Sequence, residues 1–198
     1  MSESKLPQIW LARHGETTWS LSGQHTGRTD LPLTERGQKN AELLGKRLAR
    51  RSFPAVFTSP LQRARRTCEI AGFADSARVE PDLVEWDYGE YEGLTTAQIL
   101  QRKPDWNLFR DGCPGGESVA QISARADRAV SKLRAANGDV LVFSSGHILR
   151  VIAARWLGMP ASAGEYFALD TATLSVLGYL HNLAEPAIRL WNDACHLS

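Results

Sequence analysis

The sequence predicts an α/β protein, a three-layer sandwich in which a mainly parallel central sheet carries helices on both faces. Short apolar runs of strand length alternate along the chain with longer segments whose apolar residues recur at helical spacing. Strands that alternate with helices in this way favour a parallel sheet. The length of 198 residues fits a single domain, so we expect residues 1–198 to form one unit.

The composition excludes several classes of protein. Hydrophobic residues make up 43% and charged residues 23% of the chain, as in an ordinary globular domain. The net charge of +1 gives no broad basic surface for nucleic acid, and no apolar run reaches the roughly 18 residues of a membrane span. Three cysteines without CxxC spacing disfavour a disulfide framework or a zinc cluster, and the N-terminus has no apolar signal core. We therefore expect a cytoplasmic protein with neither a nucleic-acid nor a membrane partner.

The first elements are a strand and a helix separated by a long loop. Residues 9–12 form a short apolar run, typical of a buried strand, and the stretch that follows to Leu33 is rich in Gly, Ser, Thr and Asp. Thr34 is a suitable N-cap, and Pro54 closes the predicted helix. One face of that helix carries Ala41, Leu44, Leu48 and Ala49.

The middle of the chain contains a second strand and an irregular segment. Residues 55–58 form another apolar run, and Pro60 opens the helix that follows, a position where proline is tolerated. Residues 75–116 mix aromatic, glycine and acidic residues without a long period, which predicts a lid-like insertion with one or two short helices, such as 95–101. A longer helix is predicted over 118–136.

The last third of the chain completes the predicted sheet. Residues 139–144 follow an Asn-Gly turn and form the clearest central strand, and a helix runs from His147 to about residue 158. The segments 173–180 and 187–191 are predicted to be edge strands, and the residues after 192 a loose tail.

Charged and polar side chains follow three of the predicted strands directly. Arg13 and His14 follow the first strand, Arg63 lies just after the second, and His147 follows the central strand. Because ligands of open α/β sheets bind beyond the carboxyl ends of the strands, we expect these groups to converge. Each also has a structural explanation, since His147 can cap its helix and Arg63 can be solvated surface charge. Their joint placement favours a site.

These residue types suit phosphoryl transfer. A guanidinium fork matches phosphate oxygens, and a neutral imidazole nitrogen is a good nucleophile near pH 7. The lack of a side chain at Gly15 lets a phosphate approach the backbone. A carboxylic acid is then needed to protonate the departing oxygen. The predicted insertion supplies several candidates, between which spacing alone does not choose: Glu80, Asp82, Glu85, Asp87, Glu90 and Glu92.

Several stretches of the chain resemble motifs of the histidine phosphatase superfamily, the phosphoglycerate mutase-like enzymes. The opening motif of that family is similar to residues 11–20, Leu-Ala-Arg-His-Gly-Glu-Thr-Thr-Trp-Ser. Its second arginine motif resembles residues 59–64, and its second histidine motif resembles residues 145–147. Further matches lie at residues 26–34, 89–93 and 115–118, so the resemblance runs from about residue 9 to 158.

The resemblance implies a role for each matching residue. His14 is the nucleophile that becomes phosphorylated, while Arg13, Arg63 and His147 hold the phosphoryl oxygens. Glu85 occupies the position of the family's proton donor. The family fold is an α/β sandwich, and neither a metal nor a cofactor is implied.

The resemblance also suggests a class of substrate. Residues 18–27 and the Gly-His order at His147 are close to sedoheptulose-bisphosphatase-like members of the family, which favours a sugar phosphate or bisphosphate. Thr26 and Gly27 line the substrate side in this interpretation. Additional substrate contacts are predicted at Ser20, Gln24 and Tyr88. The expected partner is therefore a small phosphorylated metabolite.

Two alternative functions remain open. Phosphoglycerate mutases of the family carry a lysine shortly after the acid and an arginine pair in a longer insertion, whereas residues 93–96 contain no lysine and 85–118 no such pair. A non-catalytic phosphate-binding module is disfavoured because every position matched to a catalytic one holds the required residue. The sequence therefore predicts a phosphatase that hydrolyses phosphate monoesters through a phosphohistidine on His14.

Overall fold

The computed structural model describes residues 6–198. Within this range one six-stranded sheet contains β1 Ile9–Arg13, β2 Ala55–Thr58, β3 Ala77–Val79, β4 Val140–Ser144, β5 Leu174–Tyr179 and β6 Pro186–Asp193. The strand order is β3-β2-β4-β1-β5-β6. The first four strands in this order pair in parallel, while β5 and β6 pair antiparallel. The prediction of a mainly parallel α/β sheet is confirmed.

Helices cover both faces of this sheet. In chain order they are α1 Thr18–Ser22, α2 Glu35–Leu48, α3 Gln62–Ile70, α4 Thr96–Arg102, α5 Leu108–Asp111, α6 Val119–Arg134 and α7 Gly146–Trp156. Thr34 caps α2 as predicted, because its hydroxyl accepts the Gly37 N–H at 3.0 Å. No helix of the described chain is both long and apolar enough to cross a bilayer.

The side chains of β1 divide between two hydrophobic layers. Ile9 and Leu11 pack with α6 and α7, while Trp10 and Ala12 pack with α2 and α3. Successive side chains of a strand point to opposite faces of the sheet, which produces this division. Burying one such Leu or Ile side chain contributes about 1.5–3 kcal/mol to folding. The two layers, with helices outside each, confirm the predicted three-layer sandwich.

Two predictions about the sheet were wrong. The segment predicted to be a loop-rich insertion contains β3, whose three residues are too few to show a period. The strand β5 was predicted at an edge, but it lies between β1 and β6. Every residue of β5 is buried, and a continuous apolar run of this kind is typical of a central strand.

Two element ends also differ from the prediction. Helix α2 ends at Leu48, well before Pro54, and Phe53 packs edge-on against Trp10 at 6.0 Å from a non-helical segment. Pro54 does not end the helix, because proline restricts only the residue directly before it, and Phe53 already lies outside α2. The predicted loose tail is instead attached: β6 continues to Asp193, and the His196 ring donates from Nε2 to the carbonyl of Ala172 at 2.9 Å.

The carboxyl ends of β1, β2 and β4 meet at one edge of the sheet. The backbone pairing continues past the strands, since His14 N–H donates to Ser144 O and Ser59 N–H donates to Phe143 O, both at 2.9 Å. The loops that follow these strands are therefore held side by side. This edge carries the residues singled out by the sequence.

Candidate active site

His14 lies at the end of β1 and is almost fully buried. Its Nδ1 lies 2.7 Å from the Gly15 carbonyl oxygen. A carbonyl oxygen only accepts, so Nδ1 carries the proton and Nε2 keeps its lone pair. Burial, together with the nearby charges of Arg63 and Arg13, lowers the pKa of His14 well below its ordinary value. The ring is therefore neutral near pH 7.

Gly15 allows this arrangement for a steric reason. A Cβ atom at this position would lie 2.4 Å from the carbonyl oxygen of Gly37, at the start of α2. The Gly15 N–H also donates to the Thr67 hydroxyl at 3.0 Å. The turn after His14 is thus packed against both α2 and α3.

Arg13 places a positive charge beside His14. One of its terminal nitrogens donates to the Leu169 carbonyl, whereas its buried Nε has no hydrogen-bond partner in the described chain. The guanidinium lies against Gly146, where a Cβ atom would sit 3.2 Å from Cζ. A buried N–H without a partner is costly, so this nitrogen is a source of strain in the site.

Arg63 is fully buried on α3 and anchors the loop before α2. Its guanidinium donates to the carbonyls of Thr26 and Gly27 at 2.9 Å, to that of Thr29 at 3.0 Å, and to the Ser145 hydroxyl at 3.4 Å. Burial lowers the pKa of Arg63, an effect that Glu85 opposes. Arginine stays charged nevertheless.

Glu85 caps the start of α7 from another part of the chain. Its Oε1 accepts the N–H groups of Ile148 at 2.8 Å and Trp86 at 2.9 Å, and its Oε2 accepts that of His147 at 3.0 Å. The residue at the N-cap itself, Ser145, makes no side-chain cap bond. A carboxylate is well suited to this place because of the unpaired N–H groups and the helix dipole.

The His147 ring does not cap its own helix, which was the structural alternative. Its Nδ1 lies 2.6 Å from the Tyr88 hydroxyl and 4.0 Å from Oε2 of Glu85. Burial, with smaller effects of Arg150, His25 and Arg13, lowers the pKa of His147 well below its ordinary value. The second histidine of the site is therefore also neutral near pH 7.

A cavity of about 260 Å³ brings most of the predicted residues together. Arg13, His14, Glu85 and His147 line it, as do the predicted contacts Ser20, Gln24, Thr26 and Tyr88. Arg63 and Gly27 lie behind the lining, because the Gly27 N–H donates to Glu92 and its carbonyl accepts from Arg63. A larger cavity of about 610 Å³ between α2, α3 and β3 contains none of the predicted site residues.

Three predicted substrate contacts already hold bonds within the protein. Ser20 caps α1 and donates to the Thr17 carbonyl at 2.9 Å. Gln24 donates from its amide to the Gly93 carbonyl at 2.8 Å, and the Thr26 hydroxyl donates to the Gln24 carbonyl at 3.2 Å. These side chains shape the loop over the cavity.

The sequence-based prediction missed four residues of the lining: Trp19, Gly23, His25 and Thr96. The His25 ring packs at a tilt against Tyr88, with 4.8 Å between the ring centroids, and its Nε2 lies 3.3 Å from the Thr96 hydroxyl. Burial lowers the pKa of His25 to about 4. The sequence did contain a signal for His25, which lies between the predicted contacts Gln24 and Thr26 on a loop that resembles a family motif.

Comparison with known proteins agrees with this geometry. The model of the histidine phosphatase superfamily, branch 1, matches residues 9–194. An acid phosphatase of Mycobacterium tuberculosis is 43% identical over 185 residues, which cover 91% of each chain. The sedoheptulose 1,7-bisphosphatase of Saccharomyces cerevisiae is 32% identical, with 94% of this chain and 93% of the yeast protein covered.

A solved structure extends the agreement to the fold. The product of an open reading frame of Mycobacterium tuberculosis superposes with a TM-score of 0.89 at 41% identity, and 95% of this chain and 98% of that chain are covered. The family model, the relatives and the fold all indicate the same family. This chain therefore belongs to branch 1 of the histidine phosphatase superfamily and is a phosphatase.

Proposed function

We propose that the protein hydrolyses small phosphate monoesters through a phosphohistidine formed on His14. The observation that carries the proposal is the hydrogen bond from Nδ1 of His14 to the Gly15 carbonyl, which leaves the Nε2 lone pair of a neutral, buried ring for attack. Arg13 and Arg63 place positive charge beside it, where the phosphoryl oxygens would lie.

In the first half of the proposed reaction, Nε2 of His14 attacks phosphorus while the bond to the ester oxygen breaks. Glu85, which enters this step in its protonated form, gives that proton to the ester oxygen, and the alcohol leaves. The ring now carries phosphorus on Nε2 and a proton on Nδ1, so it becomes more positive. The Gly15 carbonyl, already 2.7 Å from Nδ1, then accepts a stronger, charge-assisted hydrogen bond.

In the second half, water attacks the phosphohistidine and Glu85, now a carboxylate, accepts the proton of that water. The bond between phosphorus and Nε2 breaks, and inorganic phosphate leaves. Oε2 of Glu85 is the better candidate for moving the proton, since it accepts one backbone N–H whereas Oε1 accepts two. Positioning and charge stabilisation supply most of the acceleration in such transfers.

The remainder of the cavity favours a substrate that carries no charge besides the phosphate to be removed. In the described chain its lining contains no lysine, and Arg13 is its one arginine. His25 is neutral because its pKa is lowered to about 4. A second phosphate or a carboxylate would contact no cation there. Trp19 and the His25–Thr96 pair suit the hydroxyl-bearing carbon skeleton of a sugar. We therefore propose a sugar monophosphate ahead of a sugar bisphosphate or a phosphoglycerate.

The test of the chemistry is the trapping of the phosphoenzyme. With a substrate labelled in its phosphate, brief reaction and denaturation in base should leave label on the wild-type chain that acid removes. The H14A variant should show neither label nor turnover, because the covalent route is lost. H181A, which changes an exposed histidine paired with Glu185, serves as the control and should behave as wild type. Substantial turnover by H14A would overturn the proposal.

Matched substrate pairs test the proposed class in the presence of EDTA. In the first pair, glycerol 3-phosphate has a hydroxymethyl group where 3-phosphoglycerate has a carboxylate. In the second pair, fructose 1,6-bisphosphate has one more phosphate than fructose 6-phosphate. We expect kcat/KM to be at least about 10-fold higher for the member with fewer charges, since a buried unpaired charge costs more than 1.4 kcal/mol. The reverse order would replace the sugar monophosphate with an anionic substrate. Interconversion of 2- and 3-phosphoglycerate without phosphate release would favour the mutase. Binding of these esters without turnover would favour the non-catalytic module.

A further inference from the structure

We propose that Tyr88 is a positioning residue that fixes the proton of His147 on Nε2, so that this ring donates a hydrogen bond to the phosphoryl group. The inference rests on the proposed function for the identity of the ligand. It starts from the short contact between the Tyr88 hydroxyl and Nδ1 of His147, 2.6 Å long, in a place where Tyr88 is 1% exposed.

The direction of this hydrogen bond follows from the partners available. A phenol hydroxyl has one proton to donate, and in the described chain Nδ1 of His147 is the acceptor within reach. If Nδ1 donated instead, the phenol proton would be buried without an acceptor, which is costly. Burial and the nearby Glu85 also raise the pKa of Tyr88 well above its ordinary value, so the phenol keeps its proton.

The tautomer of His147 then determines what its second nitrogen offers. With Nδ1 as acceptor, the neutral ring carries its proton on Nε2, the nitrogen left for a ligand in the cavity that His147 lines. An N–H group attracts a phosphoryl oxygen, whereas the other tautomer would present a lone pair and repel it. The ring can thus stabilise negative charge without being protonated.

Glu85 would compete for the ring in the absence of Tyr88. Its Oε2 lies 4.0 Å from Nδ1 of His147 and already accepts the backbone N–H of the same residue. Without the phenol, a proton on Nδ1 would be attracted by this carboxylate. The hydroxyl of Tyr88 therefore keeps the acid and the donor of the site from pairing with each other.

The test compares two variants that each lose one hydroxyl from a buried tyrosine of the same segment. Y88F removes the partner of His147, while Y91F changes a ring that packs edge-on against Trp106 at 5.3 Å. Nitrogen-15 NMR of the imidazole rings reports the tautomer, and the His147 signals are assigned by their loss in H147Q. The second readout is kcat and KM for p-nitrophenyl phosphate.

In wild type and Y91F we expect protonated Nε2 and bare Nδ1 on His147. In Y88F we expect loss of the fixed tautomer and a fall in kcat of about 10- to 100-fold with KM changed less, the size of effect that orienting partners of functional histidines give. An unchanged tautomer in Y88F, or an equal loss of kcat in Y91F, would overturn the inference. If the wild type fixes the tautomer but releases no phosphate from any ester, the positioning role stands and the proposed function fails.

Discussion

Glu85 has two roles at the scale of single residues. Its carboxylate holds the first turn of α7 through the N–H groups of His147 and Ile148, and in the proposed reaction it moves a proton. The same bonds that orient the acid therefore start the helix that carries the second histidine. Spacing alone did not distinguish Glu85 from the neighbouring acids, because its three donors are brought to it by folding. The resemblance to the family singled it out.

The effect of replacing Glu85 on the reaction rate should depend on the leaving group. In E85Q we expect kcat for a sugar monophosphate to fall by about 100- to 10,000-fold, the contribution of general acid catalysis. Hydrolysis of p-nitrophenyl phosphate should fall much less at its phosphorylation step, because p-nitrophenolate leaves without a proton. The measurement is single-turnover kinetics with both esters.

E90Q is the matched control, since Glu90 is another acid of the same segment, is exposed and lies outside the cavity lining. It should leave both rates unchanged. Equal losses of both phosphorylation rates in E85Q would mean that Glu85 acts by capping α7 and not as the acid.

At the scale of elements, α6 holds the segment that carries Glu85. Arg125 on α6 donates to the carbonyls of Asp82 at 2.9 Å and Glu85 at 3.2 Å, and forms a two-pronged ion pair with Glu117. Arg125 is 9% exposed, so this pair is largely shielded from water. The helix thus fixes the position of the acid through main-chain oxygens.

Removing this anchor should destabilise the fold and slow the reaction together. In R125M we expect the free energy of unfolding to fall by about 2–4 kcal/mol, because Glu117 would remain as a partly buried charge without its partner. R125M/E117Q should recover part of that loss. R128M breaks the pair between Asp82 and the exposed Arg128 and should cost far less than R125M. Urea unfolding of the three variants gives these values, and an R125M loss no larger than that of R128M would contradict the prediction.

Local sequence patterns predicted the elements whose signals are local. The cap at Thr34, the helices α6 and α7 and the strands β1, β2 and β4 all have clear apolar periods or turn residues. The place of β5 inside the sheet was missed because strand order depends on pairing between distant segments. The role of Arg125 was missed for the same reason, since the carbonyls of Asp82 and Glu85 that it binds lie 43 and 40 residues away.

At the scale of the whole molecule, the buried histidines make stability depend on pH. Burial lowers the pKa of His25 to about 4, and lowers those of His14 and His147 as well, against 6.5 for a free side chain. Below pH 6.5 the unfolded chain therefore binds more protons than the folded chain. The free energy of unfolding must fall as the pH decreases through this window.

Replacing one of these buried histidines should make the free energy of unfolding depend less steeply on pH. Between pH 7.5 and 5.5 we expect the decrease in the free energy of unfolding to be about 1 kcal/mol smaller for H25Q than for the wild type, since one titrating site is lost. H181Q, at an exposed site, should keep the slope of the wild type. The measurement is urea unfolding at a series of pH values, and identical slopes for H25Q and wild type would refute the assignment of His25.

The neighbours of β1 determine when this enzyme acquires its reactivity during synthesis. The strand that leads to His14 is made first, yet it lies between β4 and β5, which are made after β2 and β3. At about 5–20 residues per second, synthesis reaches the end of β5 roughly 10–30 seconds after His14 has been added to the chain. During that time His14 lacks the two strands that flank β1 in the folded protein. We therefore expect a truncated chain that ends before β4 to release no phosphate from an ester.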